Sequence, residues 1–97
     1  MKVVVSPAAE ADLADIYDDT YAAWEETQAA DTIDTLVARL KWLAVKRSLW
    51  QPRDDLRPGL YGRTEGAHLI VFRDGGDHVQ IVRVLHQRMD PARHVEA

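Results

Sequence analysis

The chain has 97 residues, 46% of them hydrophobic and 29% charged, with no cysteine and a net charge of −4, the profile of one soluble globular domain. Lack of cysteine excludes disulfides and thiolate metal sites, and the negative charge argues against a protein built mainly to coat nucleic acid. The charge is unevenly spread: one lysine against nine acids gives −8 over residues 1–36, and eleven basic residues against seven acids give +4 over residues 37–97. Such asymmetry marks either a basic functional face or two solvated faces of opposite sign.

Lys2–Val5 is a short β-branched run, read as the first strand. The start of the chain lacks the apolar core of a signal peptide, and nowhere is there a run of about 18 apolar residues; a cytoplasmic protein is expected. Ser6 suits a helix N-cap and Pro7 the first helical position. Ala9, Leu13, Ile16, Tyr17, Thr20 and Trp24 then recur at helical spacing, which leaves Asp12, Asp15, Asp18 and Asp19 off the stripe and expected in solvent. A second helix is expected from Gln28 to Arg47, with Thr27 as N-cap and Ile33, Leu36, Val37, Leu40, Leu43 and Ala44 as its stripe. With so short a turn between them, the two helices form an antiparallel hairpin. Ser48–Gly59 is irregular. Leu60–Thr64, Ala67–Arg73 and His78–Gln87 read as strands, with Asp74-Gly75-Gly76-Asp77 as a hairpin turn, and one helical turn is expected after Asp90-Pro91. The order β-α-α-β-β-β implies an α+β fold, a helical hairpin packed on one face of a mainly antiparallel sheet. Residues 69–72 and 81–82 are apolar on both faces, so the sheet centre is either covered on both sides or awaits a partner.

His68, His78, His86 and His94 show no metal-ligand spacing, although His68 and His86 both fall on strands and can be neighbours. No glycine-rich phosphate loop is present, and no cofactor is expected. Cleavage of RNA through its 2′-hydroxyl needs a base, an acid and cationic stabilisation of the phosphorane. Arg83, His86 and Arg88, with Arg63 or Arg73 from adjacent strands, supply part of that set. A second acid or base is hard to name; Tyr61 and Glu65 are the nearest. The structural alternative has His86 anchoring the turn after its strand and Arg83 pairing with an acid on the helices. Trp24, Trp42 and Trp50 are expected near one end of the helical hairpin, either as core or as an exposed aromatic groove that anchors a partner. In Arg53–Arg63, Arg57-Pro58-Gly59 places an arginine on a rigid turn beside Tyr61.

Three stretches, SPAAEADLADIYDDTYAAW (Ser6–Trp24), DDLRPGL (Asp54–Leu60) and VQIVRVLHQRMDPARHV (Val79–Val95), together resemble the ParE toxins of bacterial type II toxin–antitoxin modules, within the RelE/ParE superfamily. The resemblance covers nearly the whole chain in order, and its last block is the most specific. It implies the RelE/ParE-like fold and a ParD-like antitoxin that wraps the toxin and binds operator DNA, which the toxin itself meets only through the antitoxin. It also implies inhibition of DNA gyrase, a type II topoisomerase, by binding and not by catalysis. On that reading Trp24, Trp42, Trp50, Arg57 and Tyr61 contact the antitoxin, and Arg83, His86, Arg88 and Arg93 contact the target; no membrane is involved. RelE-like relatives instead cleave mRNA on the ribosome, with basic residues and a Tyr or His near the last strand. This chain departs from that pattern: it has no Tyr near residue 86, its helices are acidic, and a protein that docks in the polyanionic ribosome is usually strongly basic.

Overall fold

The computed structural model describes residues 2–95. Its elements are β1 (Lys2–Val5), α1 (Pro7–Ala23), α2 (Glu26–Val45), a 3-10 turn at Arg47–Leu49, β2 (Leu60–Glu65), β3 (His68–Asp74), β4 (His78–His86) and a short α3 (Pro91–His94). The strands make one sheet in the order β1-β4-β3-β2. The helical hairpin carries the chain from one sheet edge, β1, to the other, β2, and two β-hairpins return β4 to lie beside β1. The β2–β3 and β3–β4 pairs are antiparallel, while β1 runs parallel to β4 with Val5 opposite Ile81. This is the expected α+β arrangement, with one parallel pair in an otherwise antiparallel sheet.

Ser6 makes the joint between β1, α1 and β4. Its Oγ accepts the Ala9 N–H at 3.0 Å, capping α1, and donates to the Val82 carbonyl at 2.8 Å. Its backbone N–H donates to the Ile81 carbonyl at 3.0 Å. Pro7 follows at the first helical position, where a missing N–H costs nothing. Helix α1 ends on the bond from the Trp24 N–H to the Thr20 carbonyl, and α2 starts two residues later at Glu26. Glu25 therefore takes the N-cap position, without a side-chain hydrogen bond, and Thr27, expected there, lies inside the helix. Gly66 (φ +58°) and Gly76 (φ +94°) supply the left-handed backbone that the β2–β3 and β3–β4 turns require.

Apolar residues pack on both faces of the sheet. On one face Ile16 of α1 and Leu36, Leu40 and Leu43 of α2 bury Ile70, Phe72, Val79, Ile81 and Val84. On the other, Leu60, Val71 and Leu85 are covered by Leu56 from the loop and by Met89 and Val95 from the C-terminal segment. The doubly apolar centre is thus covered by the chain itself. Residues 51–53 run along the outer edge of β2, where Gln51 accepts the Gly62 N–H at 3.1 Å and Arg53 donates to the Leu60 carbonyl at 2.8 Å. These bonds close part of an edge that would otherwise be open to pairing.

The register between β3 and β4 slips once. Val71 lies opposite Arg83 and Phe72 opposite Ile81, which leaves Val82 as the extra residue of a bulge. A bulge re-aims the side chains next to it, and the residue next to this one is Arg83.

Candidate functional site

Arg83 points toward α1. Its Nε and Nη2 each donate to the Asp12 carboxylate at 2.7 Å, and its Nη1 donates to the His94 carbonyl at 2.9 Å. The same carboxylate accepts the Val84 N–H at 2.9 Å. Asp12 thus joins helix, strand and C-terminal segment through side chains only 11% and 22% exposed for Asp12 and Arg83. This corrects the expectation that Asp12 is solvated. Helical periodicity separates core from solvent but does not register a position over a strand end, where an acid finds a cation. Asp15, Asp18 and Asp19 are exposed as expected.

His86 anchors the turn that follows β4. Its Nδ1 accepts the Arg88 N–H at 3.1 Å, and its carbonyl accepts the Met89 N–H at 2.9 Å. The ring faces its register partner His68, with centroids 5.6 Å apart. Among the described residues no third side chain joins the two in an arrangement that would hold a metal ion. Burial, and secondarily the neighbouring His86, hold the His68 ring below its ordinary pKa. Unfolding releases that constraint, so the unfolded chain takes up a proton where the folded one does not. Stability contributed by neutral His68 is therefore complete above about pH 6.5 and is lost as pH falls below it. Urea unfolding at pH 7.5 and 5.5 should show wild type losing stability on acidification and His68→Gln losing less; equal losses would place the acid sensitivity elsewhere.

The four basic residues expected at the target face divide into two pairs. Arg83 spends its guanidinium on Asp12 and the His94 carbonyl, and His86 spends its Nδ1 on the turn. Arg88 and Arg93 are exposed, the latter 3.6 Å from Asp90 on the short α3.

The aromatic residues divide as well. Trp24 is 74% exposed at the helical turn. Trp42 lies near the far end of α2, about 24 Å away along the helix axis, with the guanidinium groups of Arg39 and Arg63 over its ring at 4.6 and 4.9 Å. Trp50 donates its indole N–H to the Leu43 carbonyl at 2.7 Å. Its ring meets Tyr61 and Phe72, each at a centroid distance of 5.2 Å. The expectation of three tryptophans near one end of the hairpin is corrected: Trp24 stands apart, and Trp42, Trp50 and Tyr61 pack against the core from the other end. Arg57 is exposed on the loop whose Leu56 covers the opposite face of the sheet.

A cleft of about 770 Å³ opens between the turn half of the helical hairpin and the ends of β3 and β4. Its floor is His68, His86 and Val84, and its walls carry Asp15 and Asp19 from α1 and Asp31 from α2. Helical spacing alone does not point to these walls; their signal in the sequence is the excess of acid in residues 1–36. The cleft sets two imidazoles side by side, which is half of what RNA cleavage needs. Of the remaining candidates, Tyr61 is packed against Trp50 and Phe72 and Arg63 lies against Trp42, while Glu65 lines the cleft but is bound by Arg39 Nε at 2.6 Å. The carboxylates around the histidines would repel a phosphodiester.

The model of the family described as the ParE toxin of the type II toxin–antitoxin system parDE matches residues 3–91. The chain belongs to the ParE toxin family. It is 35% identical over 95 residues to Toxin ParE1 of Mycobacterium tuberculosis, covering 97% of each chain. It is 36% identical over 91 residues to Toxin ParE1 of Caulobacter vibrioides, covering 94% of each. A chain from the chromosomal ParDE TA system of P. aeruginosa superposes with a TM-score of 0.79 at 25% identity, covering 89% of this chain and 95% of that one. This ParE-type toxin of a type II module thus has the fold that its three sequence blocks imply. Among its described residues no helix is long and apolar enough to cross a membrane.

Proposed function

We propose that this ParE-type toxin arrests growth by binding DNA gyrase, without catalysis of its own, and that a ParD-like antitoxin neutralises it in the cytoplasm. The observation that carries this reading is the rigid basic end of β4. His86 fixes the turn, Arg83 ties the following segment to α1 through the His94 carbonyl, and Arg88 and Arg93 are left in solvent. Exposed arginines on an anchored stretch of backbone offer forked donors to acidic groups on a protein target. The carboxylate-walled cleft beside them supports binding over RNA cleavage. For the antitoxin, Trp24 and Arg57 offer exposed contacts, and Trp42, Trp50 and Tyr61 shape the surface from beneath.

Expression of the toxin alone should arrest growth, and co-expression of the antitoxin should relieve the arrest. Arg88→Glu with Arg93→Glu should abolish arrest while changing stability by no more than about 0.5 kcal/mol, as expected for exposed sites. A double variant that still arrests growth fully would remove these arginines from the target face.

A further inference from the structure

The molecule is electrically polarised along α2. At one end lies the cleft, whose Asp15, Asp19 and Asp31 are exposed and make no ion pair among the described residues. At the other end the close of α2, the start of β1 and the β3–β4 turn meet. There Arg47 pairs with Asp74, the last residue of β3, and Lys2 lies opposite His78, the first of β4. Most acids of this end are taken: Asp74 by Arg47, Asp77 by His78 and Asp55 by Arg53. Lys2, Lys46, Arg57 and Arg73 are exposed without an ion pair among the described residues, against Asp54 alone. Asp31 and Lys46 stand about 22 Å apart along α2. The unpaired charges of the two ends therefore cannot meet within one chain.

Each end also carries apolar side chains in water. Trp24 is 74% exposed at the mouth of the cleft, and Val45 and Leu49 are 75% and 52% exposed on either side of Lys46. The segment that carries them is held firmly. The Leu49 N–H donates to the Lys46 carbonyl at 3.0 Å, and the Trp50 indole N–H donates to the Leu43 carbonyl at 2.7 Å, which pins the backbone before and after Lys46. The cleft offers such a segment an apolar floor in Ile16, Leu36 and Val84 between acidic walls. Opposite charge and exposed apolar surface at the two ends make the chain its own complement.

We infer that the free toxin associates with a second copy of itself head to tail. The Val45–Leu49 segment of one copy sits in the acidic cleft of the next, with Lys46 against the carboxylates and Val45 and Leu49 against Trp24 and the floor. Such a contact is heterologous: each added copy presents a fresh cleft, so assembly continues past the dimer. The inference does not depend on which target the toxin has. Trp24 is also an antitoxin contact in the reading above, so the antitoxin and a second copy compete for it.

The test is sedimentation velocity on full-length toxin freed of antitoxin, from about 1 to 100 μM, at about 50 and 500 mM NaCl. Wild type should grow beyond a dimer with concentration, and high salt should weaken the association. A segment variant, Lys46→Ser/Leu49→Ser, and a cleft variant, Asp15→Asn/Asp19→Asn/Trp24→Ala, should each self-associate at least about tenfold more weakly. Mixed in equal amounts they should form a dimer and stop, because one supplies the intact cleft and the other the intact segment. Asp18→Asn, an exposed α1 acid outside the cleft lining, should assemble as wild type does. A monomeric wild type throughout this range would overturn the inference. So would variants that assemble like wild type, or a mixture that stays monomeric.

Discussion

Asp12→Ala is expected to lower the unfolding free energy by about 3 kcal/mol, in the range seen when one partner of a largely buried ion pair is removed. Three bonds are lost together: both arms of the Arg83 fork and the acceptor of the Val84 N–H. Arg83 keeps the His94 carbonyl but loses the carboxylate that its Nε and Nη2 meet on α1. Small domains have a total stability of about 5–15 kcal/mol, so this loss is a large share of the margin. Asp12→Asn should fall between alanine and wild type, because an amide oxygen still accepts the Val84 N–H while the charge pair is gone. Replacing both partners, Asp12→Leu with Arg83→Met, should recover much of the loss, since an apolar pair of similar volume leaves no stranded charge. The neighbouring Asp15→Ala should change stability by less than about 0.5 kcal/mol. Urea midpoints followed by tryptophan fluorescence report all four. Equal effects at Asp12 and Asp15 would mean that the Asp12–Arg83 fork is not a structural tie.

Trp50→Ala should also cost about 3 kcal/mol, the lower end for deleting a large aromatic from a packed site. Two contributions combine. The indole N–H bonds the Leu43 carbonyl, in the last turn of α2, where carbonyls have few helical partners. The ring joins Tyr61 and Phe72 in a cluster with centroid distances of 5.2 to 5.7 Å. Trp50→Phe keeps most of the packing and removes the hydrogen bond, so a loss of about 1 kcal/mol is expected. The same substitution should leave antitoxin affinity unchanged, in contrast to Trp24→Ala, which should weaken binding and spare stability. A Trp50→Phe toxin that is stable but no longer neutralised would make Trp50 a direct contact instead of a support.

Local chemistry made most of the fold readable. Ser6-Pro7 announces the start of α1, the Leu36–Leu40–Leu43 spacing marks the buried side of α2, and the glycines at 66 and 75–76 mark the two β-hairpins. These features depend on residues close in sequence. The candidate site depends on pairings between distant elements, and there the reading was partial. That Arg83 would pair with a helical acid was anticipated; that the acid is Asp12 depends on the bulge at Val82, which no period in β4 reveals. The anchoring role of His86 was legible from its place at a strand end. The separation of the tryptophans was legible as well: Trp24 sits at the hairpin turn, Trp42 lies about 24 Å along α2, and the segment that carries Trp50 leaves the far end of that helix. The parallel pairing of β1 with β4 was invisible, since a four-residue apolar strand fits either edge of the sheet.

The central claim is that the toxin disables gyrase by binding it. A purified-gyrase supercoiling assay with increasing toxin, run beside an mRNA cleavage assay on translating ribosomes, tests this most directly. Supercoiling should be inhibited, antitoxin should restore it, and the mRNA should stay intact. Unimpaired supercoiling at micromolar toxin together with codon-dependent mRNA cuts would contradict the account and make the chain a ribosome-dependent endoribonuclease.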